Sequence, residues 1–187
     1  MSDILTINTG GIVEEEIIPL PLHDEHFEML SRVMPEYKES LPNLGMTRLV
    51  TRLKMTMKLH SGLGLSANQC GIESRVFVIG TDQFQIACIN PKIVETSKEL
   101  DKMREGCLSY PGIFLYVPRH KSIQVEYTTP EGELINVRME GITAQCFQHE
   151  LDHMNGIKLS QQVGPLALSL AKKRRVKLMN KILKGKR

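Results

Sequence analysis

The segment His149–His153 has residue types and a spacing that are typical of a metal site. Its sequence, HELDH, places two histidines four residues apart with Glu150 between them. Residues four apart share one face of an α-helix, so both imidazoles can bind one metal ion with the glutamate beside it as a general base. The alternative is an ordinary exposed helix with two solvated histidines. Because the segment contains no glycine or proline, we favour a helical metal site.

A catalytic metal site usually has three protein ligands and one open position, so a third ligand is needed. By residue type it could be Cys107, His120, Asp152 or Glu105. The four cysteines of the chain contain no C-x-x-C pair and are expected to be free thiols, each available as a single ligand. Cys107 is favoured, because it lies in REGCLSYPG, where turn residues can hold a thiolate at a fixed angle. Spacing alone leaves the choice open.

Three helices are predicted, and the second carries the histidine pair. Residues 44–60 have apolar side chains at helical spacing and are followed by Gly62. Residues 141–154 end before Asn155-Gly156, which is a typical helix stop. A third helix is predicted from Pro165 into the basic tail. Its apolar stripe consists of Val176, Met179, Ile182 and Leu183.

Short runs rich in β-branched and aromatic residues predict strands. They lie at residues 75–80, 84–90, 121–128 and 133–139. The last two are joined by the turn sequence TPEG, so we predict antiparallel hairpins. Strands and helices do not alternate as they do in βαβ folds. The sequence therefore predicts an α+β fold, in which antiparallel β-sheets pack around a central metal-binding helix and a helix follows at the C-terminus.

Length and composition predict one globular domain. The chain has 187 residues, 41% of them hydrophobic and 24% charged, which is enough for one well-filled core. No apolar run is long enough to span a membrane, and the N-terminal twenty residues are acidic, unlike a targeting leader. We therefore expect a cytoplasmic protein. We expect residues 1–164 to form the catalytic domain and residues 165–187 to be a basic helix or tail of the same domain.

Basic residues are concentrated at the C-terminus. Residues 172–187 hold nine of the 24 Lys and Arg and none of the 21 Asp and Glu, which leaves a net charge of −6 on the rest. A helix of this charge density can bind RNA phosphates. A ribosome-binding or RNA-binding module with a structural metal is therefore one alternative function, and a solvated tail is the plainer interpretation of the charge.

Three separated segments together resemble the signature motifs of peptide deformylases. They are residues 62–69 (GLGLSANQ), 105–109 (EGCLS) and 148–153 (QHELDH), in the order that this family shows. With the strands between them, the resemblance covers most of residues 45–160. Ser66 stands where many members have alanine, and Met154 stands where leucine is usual. The first forty residues match the opening of the family poorly.

The resemblance implies a hydrolase that removes the formyl group from the N-terminal formylmethionine of nascent polypeptides. It implies one divalent metal ion per chain, natively Fe²⁺, with Zn²⁺, Ni²⁺ or Co²⁺ as substitutes. The implied metal ligands are Cys107, His149 and His153. A metal-bound hydroxide would attack the formyl carbon, with Glu150 as the general acid/base. Gln69 and the backbone amide of Leu108 would stabilise the oxyanion.

The resemblance also implies a pocket for the methionine side chain. The corresponding positions are Leu63, Gly64, Met103, Gly106, Ile142 and Cys146. Gly64 would offer backbone hydrogen bonds to an extended peptide, as a strand edge does, whereas core packing is the rival role for Met103 and Ile142. Each histidine is expected to donate its second ring N–H to a backbone carbonyl or a carboxylate, and Glu105, Arg119 and Asp152 are the side chains expected around the ligands. Docking of the basic C-terminal helix on the ribosome is a further implied contact, and no DNA partner is expected.

Two other enzyme classes fit parts of the sequence. Residues 62–67 match the dinucleotide-binding pattern G-x-G-x-x-A. That pattern must follow a strand and open a helix, whereas here a predicted helix precedes it. Zinc endopeptidases share the histidine pair, but this chain lacks the H-x-x-G-x-x-H continuation of metzincins. Both classes are therefore less favoured than a deformylase.

Overall fold

The computed structural model describes residues 28–81 and 83–185, with side chains as far as Lys181. The expectations about residues 1–27 fall outside this part of the chain. Two antiparallel sheets form the framework. Their strands are β1 (Gly64–Ser66), β2 (Val76–Gly80), β3 (Gln85–Thr96), β4 (Leu100–Gly106), β5 (Phe114–His120), β6 (Ser122–Thr128) and β7 (Leu134–Glu140). The first sheet has the order β1-β2-β3-β6-β7, and β4 pairs with β5 alone.

Helices cover the sheets. They are α1 (Leu44–Leu59), α2 (Gly141–Met154), α3 (Pro165–Gly185) and the short 3₁₀ helices Glu28–Ser31, Ala67–Cys70 and Leu159–Gln162. Asn43 caps α1, since its side chain accepts the N–H of Met46 at 2.8 Å. At the end of α2, Gly156 has a φ of 72°, and a Cβ there would lie 2.8 Å from the carbonyl oxygen of Ser31. Only glycine fits this stop, which the sequence predicted.

Both faces of β2 are buried. Val76 and Val78 of β2 belong to the core beneath α1, whereas Phe77 and Ile79 face the core beneath α2. This division follows from the alternation of side chains along a strand. The rings of Phe77 and Phe147 meet edge to face, with centroids 5.1 Å apart. Helix α2 also contacts β5 of the second sheet, so it lies at the centre of the protein.

The predicted α+β fold is confirmed, with antiparallel sheets around a central helix. The pair β4-β5 was not predicted. Strand β4 (LDKMREG) is largely polar and exposed, so it lacks an apolar alternation. Strand β5 contains Pro118, a residue that is uncommon in central strands but is tolerated in a two-stranded sheet, where both strands are edges. The short β1 was also missed, because it lies within the glycine-rich motif.

Helix α3 packs on the body through its first turns. Leu168 and Ala171 join the core cluster of β5. Val176 and Met179, from the predicted apolar stripe, are 59% and 47% exposed, and the side chains of the other two stripe residues lie outside the described part. The described residues of this apolar stripe therefore do not pack α3 against the body of the protein. Within the described ranges, no helix has an apolar stretch long enough to cross a bilayer.

Candidate metal centre

The three predicted ligands meet between α2 and the end of β4. His149 and His153 lie on successive turns of α2, and Cys107 directly follows β4. Their ligand atoms all lie within 4.8 Å of one another, and the three side chains are buried. Sγ of Cys107 lies 3.3 Å from Nε2 of His153. The two imidazole rings meet edge to face, with centroids 5.0 Å apart.

This donor set fits a divalent metal ion. A tetrahedral ion with typical metal–sulfur and metal–nitrogen distances holds the two atoms about 3.6 Å apart. The observed separation of 3.3 Å between Cys107 and His153 is close to that value. The other three candidates for the third ligand have different partners. His120 donates from Nδ1 to the carbonyl oxygen of Ser97 at 2.6 Å, and the two carboxylates bind an arginine.

A buried ion-pair network lies behind His149. Glu105 accepts the Nδ1–H of His149 at 2.9 Å and two N–H groups of Arg119 at 2.8 and 3.0 Å. Arg119 also donates to Asp152 at 2.7 Å. A proton on Nδ1 leaves Nε2 of His149 free to bind a metal ion. Nδ1 of His153, by contrast, has no hydrogen-bond partner among the described residues.

Glu105 remains ionised in this network. Burial acts to raise its pKa, but the hydrogen bonds from His149 and Arg119 outweigh burial and lower the pKa to about 2. A carboxylate that accepts the imidazole N–H increases the basicity of the opposite ring nitrogen. The network therefore orients His149 and would strengthen it as a metal ligand.

Glu150 lies beside the ligands and is 3% exposed. Burial raises its pKa to about 7, although the charge of His149 and the hydroxyl of Ser66 oppose this rise. The carboxyl group of Glu150 packs on the backbone of Gly64. A Cβ at position 64 would overlap Oε1 of Glu150 and lie 2.9 Å from its Cδ. The absence of a side chain at Gly64 thus makes room for the carboxyl group.

Gln69 lies in the 3₁₀ helix that follows β1, and its amide group is fixed at both ends. Its Oε1 accepts the backbone N–H of Ser66 at 2.9 Å. Its Nε2 donates to Oγ of Ser109 at 3.0 Å and lies 3.4 Å from Sγ of Cys107. These contacts direct the amide N–H groups of Gln69 toward the thiol. Leu108 follows Cys107 and lines the cavity described next.

A cavity of about 530 Å³ opens onto the metal centre, and Cys107, His149 and Glu150 form part of its wall. Five of the six predicted substrate-binding residues line it: Leu63, Gly64, Gly106, Ile142 and Cys146. Met103 is not among the lining residues, and its role in substrate binding stays a prediction. It precedes Glu105 by two residues on β4 and therefore lies about 7 Å farther along the strand. Arg104 lines the cavity in its place.

Residues 21–168 match the family model of polypeptide deformylases. The chain belongs to the polypeptide deformylase family. The membership that three sequence motifs predicted is thus confirmed, and with it the prediction of a metal-dependent hydrolase. These findings favour a deformylase over the dinucleotide-binding and endopeptidase alternatives.

Individual deformylases resemble the chain in sequence and structure. A peptide deformylase of Thermotoga neapolitana is 40% identical over 127 residues, which cover 68% of this chain and 77% of that protein. The crystal structure of a Synechococcus elongatus peptide deformylase with actinonin has a TM-score of 0.78 at 31% identity, covering 84% and 86% of the two chains. A Met-Ala-Ser-bound class I type b deformylase from Acinetobacter baumannii has a TM-score of 0.73 at 27% identity, covering 79% and 98%.

Three buried polar side chains support the deformylase site without having been predicted. Gln145 donates to Glu105 at 3.3 Å, and Ser109 accepts from Gln69. Asn68 donates to the carbonyl oxygen of His153 at 2.7 Å. The first lies one helical turn before His149 on the same face of α2, and the other two lie within the motif segments 62–69 and 105–109. The other two contacts join distant parts of the chain.

We expect Glu105→Gln to lower the free energy of unfolding of the metal-free deformylase by about 3 kcal/mol. The substitution leaves the buried Arg119 with one anionic partner instead of two. Denaturant unfolding measures the change. Glu99→Gln, which removes an exposed ion pair with Lys121, is the matched control and should cost less than about 1 kcal/mol. Equal effects of the two substitutions would contradict the assigned role of Glu105.

Proposed function

We propose that this enzyme removes the formyl group from the N-terminal formylmethionine of nascent polypeptides in the cytoplasm. The reaction hydrolyses the formyl amide, so water and substrate give formate and a free amine. The main support is that the ligand atoms of Cys107, His149 and His153 lie within 4.8 Å of one another. Cys107, His149 and Glu150 also line the wall of one cavity. Family membership supports the formyl amide as the bond that is cleaved.

We propose that these two histidines and the cysteine hold one divalent metal ion. When bound, such an ion lowers the pKa of water toward neutrality and polarises a carbonyl group. Fe²⁺ is the proposed native ion, and Zn²⁺, Ni²⁺ or Co²⁺ are proposed substitutes, because one thiolate with two imidazoles suits each of them. Metal analysis of protein purified without oxygen tests this. Iron should be the main metal, and a fully active protein that contains only zinc would contradict the proposal.

Glu150 is the proposed general acid/base. Its pKa of about 7 allows the carboxyl to accept and release a proton near neutral pH. It takes a proton from the water that attacks the formyl carbon. It then gives this proton to the amine nitrogen as the C–N bond breaks. Because Glu150 is buried between α2 and β1, its carboxyl is held in one position throughout.

Gln69 and the backbone N–H of Leu108 are the proposed hydrogen-bond donors to the oxygen that becomes negative during hydrolysis. The contacts of Gln69 with Ser66 and Ser109 hold its amide before any substrate binds. A donor fixed in advance stabilises the growing charge without reorganisation, an effect worth about 3–4 kcal/mol per donor in other hydrolases.

The methionine side chain is proposed to occupy the apolar wall formed by Leu63, Ile142 and Cys146. Burial raises the pKa of the Cys146 thiol to about 12, so this wall stays uncharged. Gly64 lies on β1, an edge strand of the first sheet, so its backbone can pair with an extended peptide. Gly106 also lines the cavity, and a Cβ there would lie 2.8 Å from Cε1 of Phe114. The Met-Ala-Ser complex of the Acinetobacter relative supports a short formyl-peptide as the test substrate.

A direct assay distinguishes deformylation from proteolysis. The metal-loaded enzyme is given formyl-Met-Ala-Ser, and formate and free amine are measured. A second peptide, acetylated at its N-terminus and amidated at its C-terminus, offers only internal peptide bonds. The proposal predicts formate release from the first peptide and no cleavage of the second. Cleavage of internal bonds alone would overturn it.

Gly64→Ala should lower kcat/KM for the formyl-peptide by about 100-fold. The added Cβ would meet Cδ and Cγ of Glu150 at 2.9 Å, so the carboxyl must move. A displacement of about 1 Å at a catalytic group has an effect of this size. Gly164→Ala is the matched control, because a Cβ there meets nothing within 4 Å. If both variants kept full activity with a normal metal content, Gly64 would not position Glu150.

We further propose that α3 is part of the catalytic domain and contacts the ribosome. Its first turns pack on the core of β5, whereas Lys172, Lys173, Arg174, Lys177 and Lys181 lie on the exposed surface. The helix contains no acidic residue. Positive charge at this density favours binding to the phosphates of ribosomal RNA.

Charge reversal tests the ribosome contact. The triple substitution Lys173→Glu, Lys177→Glu, Lys181→Glu should reduce co-sedimentation with ribosomes at least tenfold at low salt, because each lost cation removes a phosphate contact. Turnover of formyl-Met-Ala-Ser should remain normal. The control Lys38→Glu, Lys54→Glu, Lys98→Glu changes the net charge equally at sites outside α3. Equal losses for both triple variants would show that only net charge matters.

A further inference from the structure

The wall of the cavity contains a positively charged side chain, Arg104, that has no role in the proposed hydrolysis. Arg104 is exposed and lines the cavity. Its guanidinium carbon lies 4.0 Å from the centroid of the Phe114 ring. Among the described residues, no carboxylate forms an ion pair with it, whereas the buried Arg119 binds two. Arg104 is therefore a positive charge without a partner in this part of the protein.

The ring that supports Arg104 is itself held in place. Phe114 and Gly106 are register partners across the β4-β5 pair. The ring lies over Gly106, where a Cβ would be 2.8 Å from Cε1 of Phe114. Arg104 precedes Gly106 by two residues, so both lie on the same face of β4. A guanidinium stacked on a ring keeps its in-plane N–H groups available, and such stacking is favourable by cation–π attraction.

The distance between Arg104 and the candidate metal centre indicates which residue of a bound peptide would lie beside Arg104. It lies three residues before Cys107, and three residues of strand span about 10 Å. An extended peptide advances about 3.3 Å per residue. For a peptide that has its formyl carbon at the metal centre and extends from there along β4, the level of Arg104 corresponds to the second or third residue.

We propose that Arg104 selects formyl-peptides that carry an acidic side chain at their second or third residue. This inference rests on the proposed function. A carboxylate at that level can accept two parallel N–H bonds from the guanidinium. The support from Phe114 reduces the freedom that Arg104 loses on binding. Lysine or arginine at the same peptide position would be repelled.

Matched peptides test the preference. The substrates are amidated tetrapeptides, formyl-Met-Ala-Glu-Ser, formyl-Met-Ala-Gln-Ser and formyl-Met-Ala-Lys-Ser, with a second set that varies residue two. In at least one peptide set, the wild-type kcat/KM should be about three- to fivefold higher for the Glu peptide than for the Lys peptide. This ratio is what a single exposed ion pair contributes. The difference should appear in KM and shrink in high salt.

Substitutions of Arg104 test whether this side chain causes the preference for acidic peptides. Arg104→Gln should bring the Glu/Lys ratio close to one, and Arg104→Glu should invert it. Lys102→Gln removes the same charge two residues earlier, outside the cavity lining, and should leave the ratio as in the wild type. Deformylation with equal rates for all peptides would overturn this inference alone. Absence of formate release from every peptide by the metal-loaded wild type would overturn the proposed function.

Discussion

Glu150→Gln is expected to lower kcat for formyl-peptide hydrolysis by about 10²- to 10⁴-fold, the range of general acid–base catalysis. Glutamine has nearly the same size and fits the same space against Gly64, so the fold should be retained. It cannot carry the proton from water to the leaving amine. The proposed metal ligands are Cys107, His149 and His153 and do not include Glu150, so the variant should still bind one metal ion per chain. Steady-state formate release and metal analysis of one preparation measure both quantities.

Glu140→Gln is the matched control for this substitution. Glu140 precedes α2, is exposed, and pairs with Arg138 at the surface. The control removes the same charge near the same helix and should keep full turnover. Full activity of the Glu150→Gln variant would show that the proton is carried by another group.

Cys107→Ser is expected to weaken metal binding by more than about 100-fold, beyond the effect of losing a residue that only hydrogen-bonds a ligand. The thiolate is the form of cysteine that binds metal, whereas a serine hydroxyl stays protonated at neutral pH. Activity should fall with the loss of metal. Competition against a chelator measures the affinity. In the cobalt-loaded wild type, the sulfur-to-metal absorption band should be present, and in the variant it should be absent.

Cys70→Ser provides the control for that experiment, because Cys70 is a free cysteine outside the ligand cluster. It should retain the metal and the absorption band. Far-UV circular dichroism of both variants separates loss of metal from loss of fold. A Cys107→Ser protein that is folded and binds the metal as tightly as the wild type would show that another group is the third ligand.

The sequence predicted the helix that carries the histidines, because its signals are local. Apolar spacing, the Asn155-Gly156 stop and the HELDH pattern all lie within residues 141–156. It also predicted four strands whose apolar residues are continuous or alternate. Strands β4 and β5 were missed because their inward side is partly polar. Glu105 and Arg119 occupy positions where an apolar residue would have given the strand signal.

The spacing of residues in the sequence was not enough to identify the third metal ligand. Cys107 and His153 are brought together by contacts between β4 and α2 that are distant in the chain. Residue types alone left four candidates, and the family resemblance selected Cys107. Asn68 and Ser109 lie within the sequence motifs, but their hydrogen-bond partners could not be predicted, because each partner is supplied by another part of the fold.

The central claim is that one metal ion at Cys107, His149 and His153 supports formyl hydrolysis. Stepwise addition of Fe²⁺ to metal-free protein under argon, with formate release from formyl-Met-Ala-Ser measured at each step, tests it most directly. We expect no formate release without metal, and a linear rise in formate release that saturates at one bound ion per chain. Full formate release by the metal-free protein, or saturation at one ion without any formate release, would contradict it.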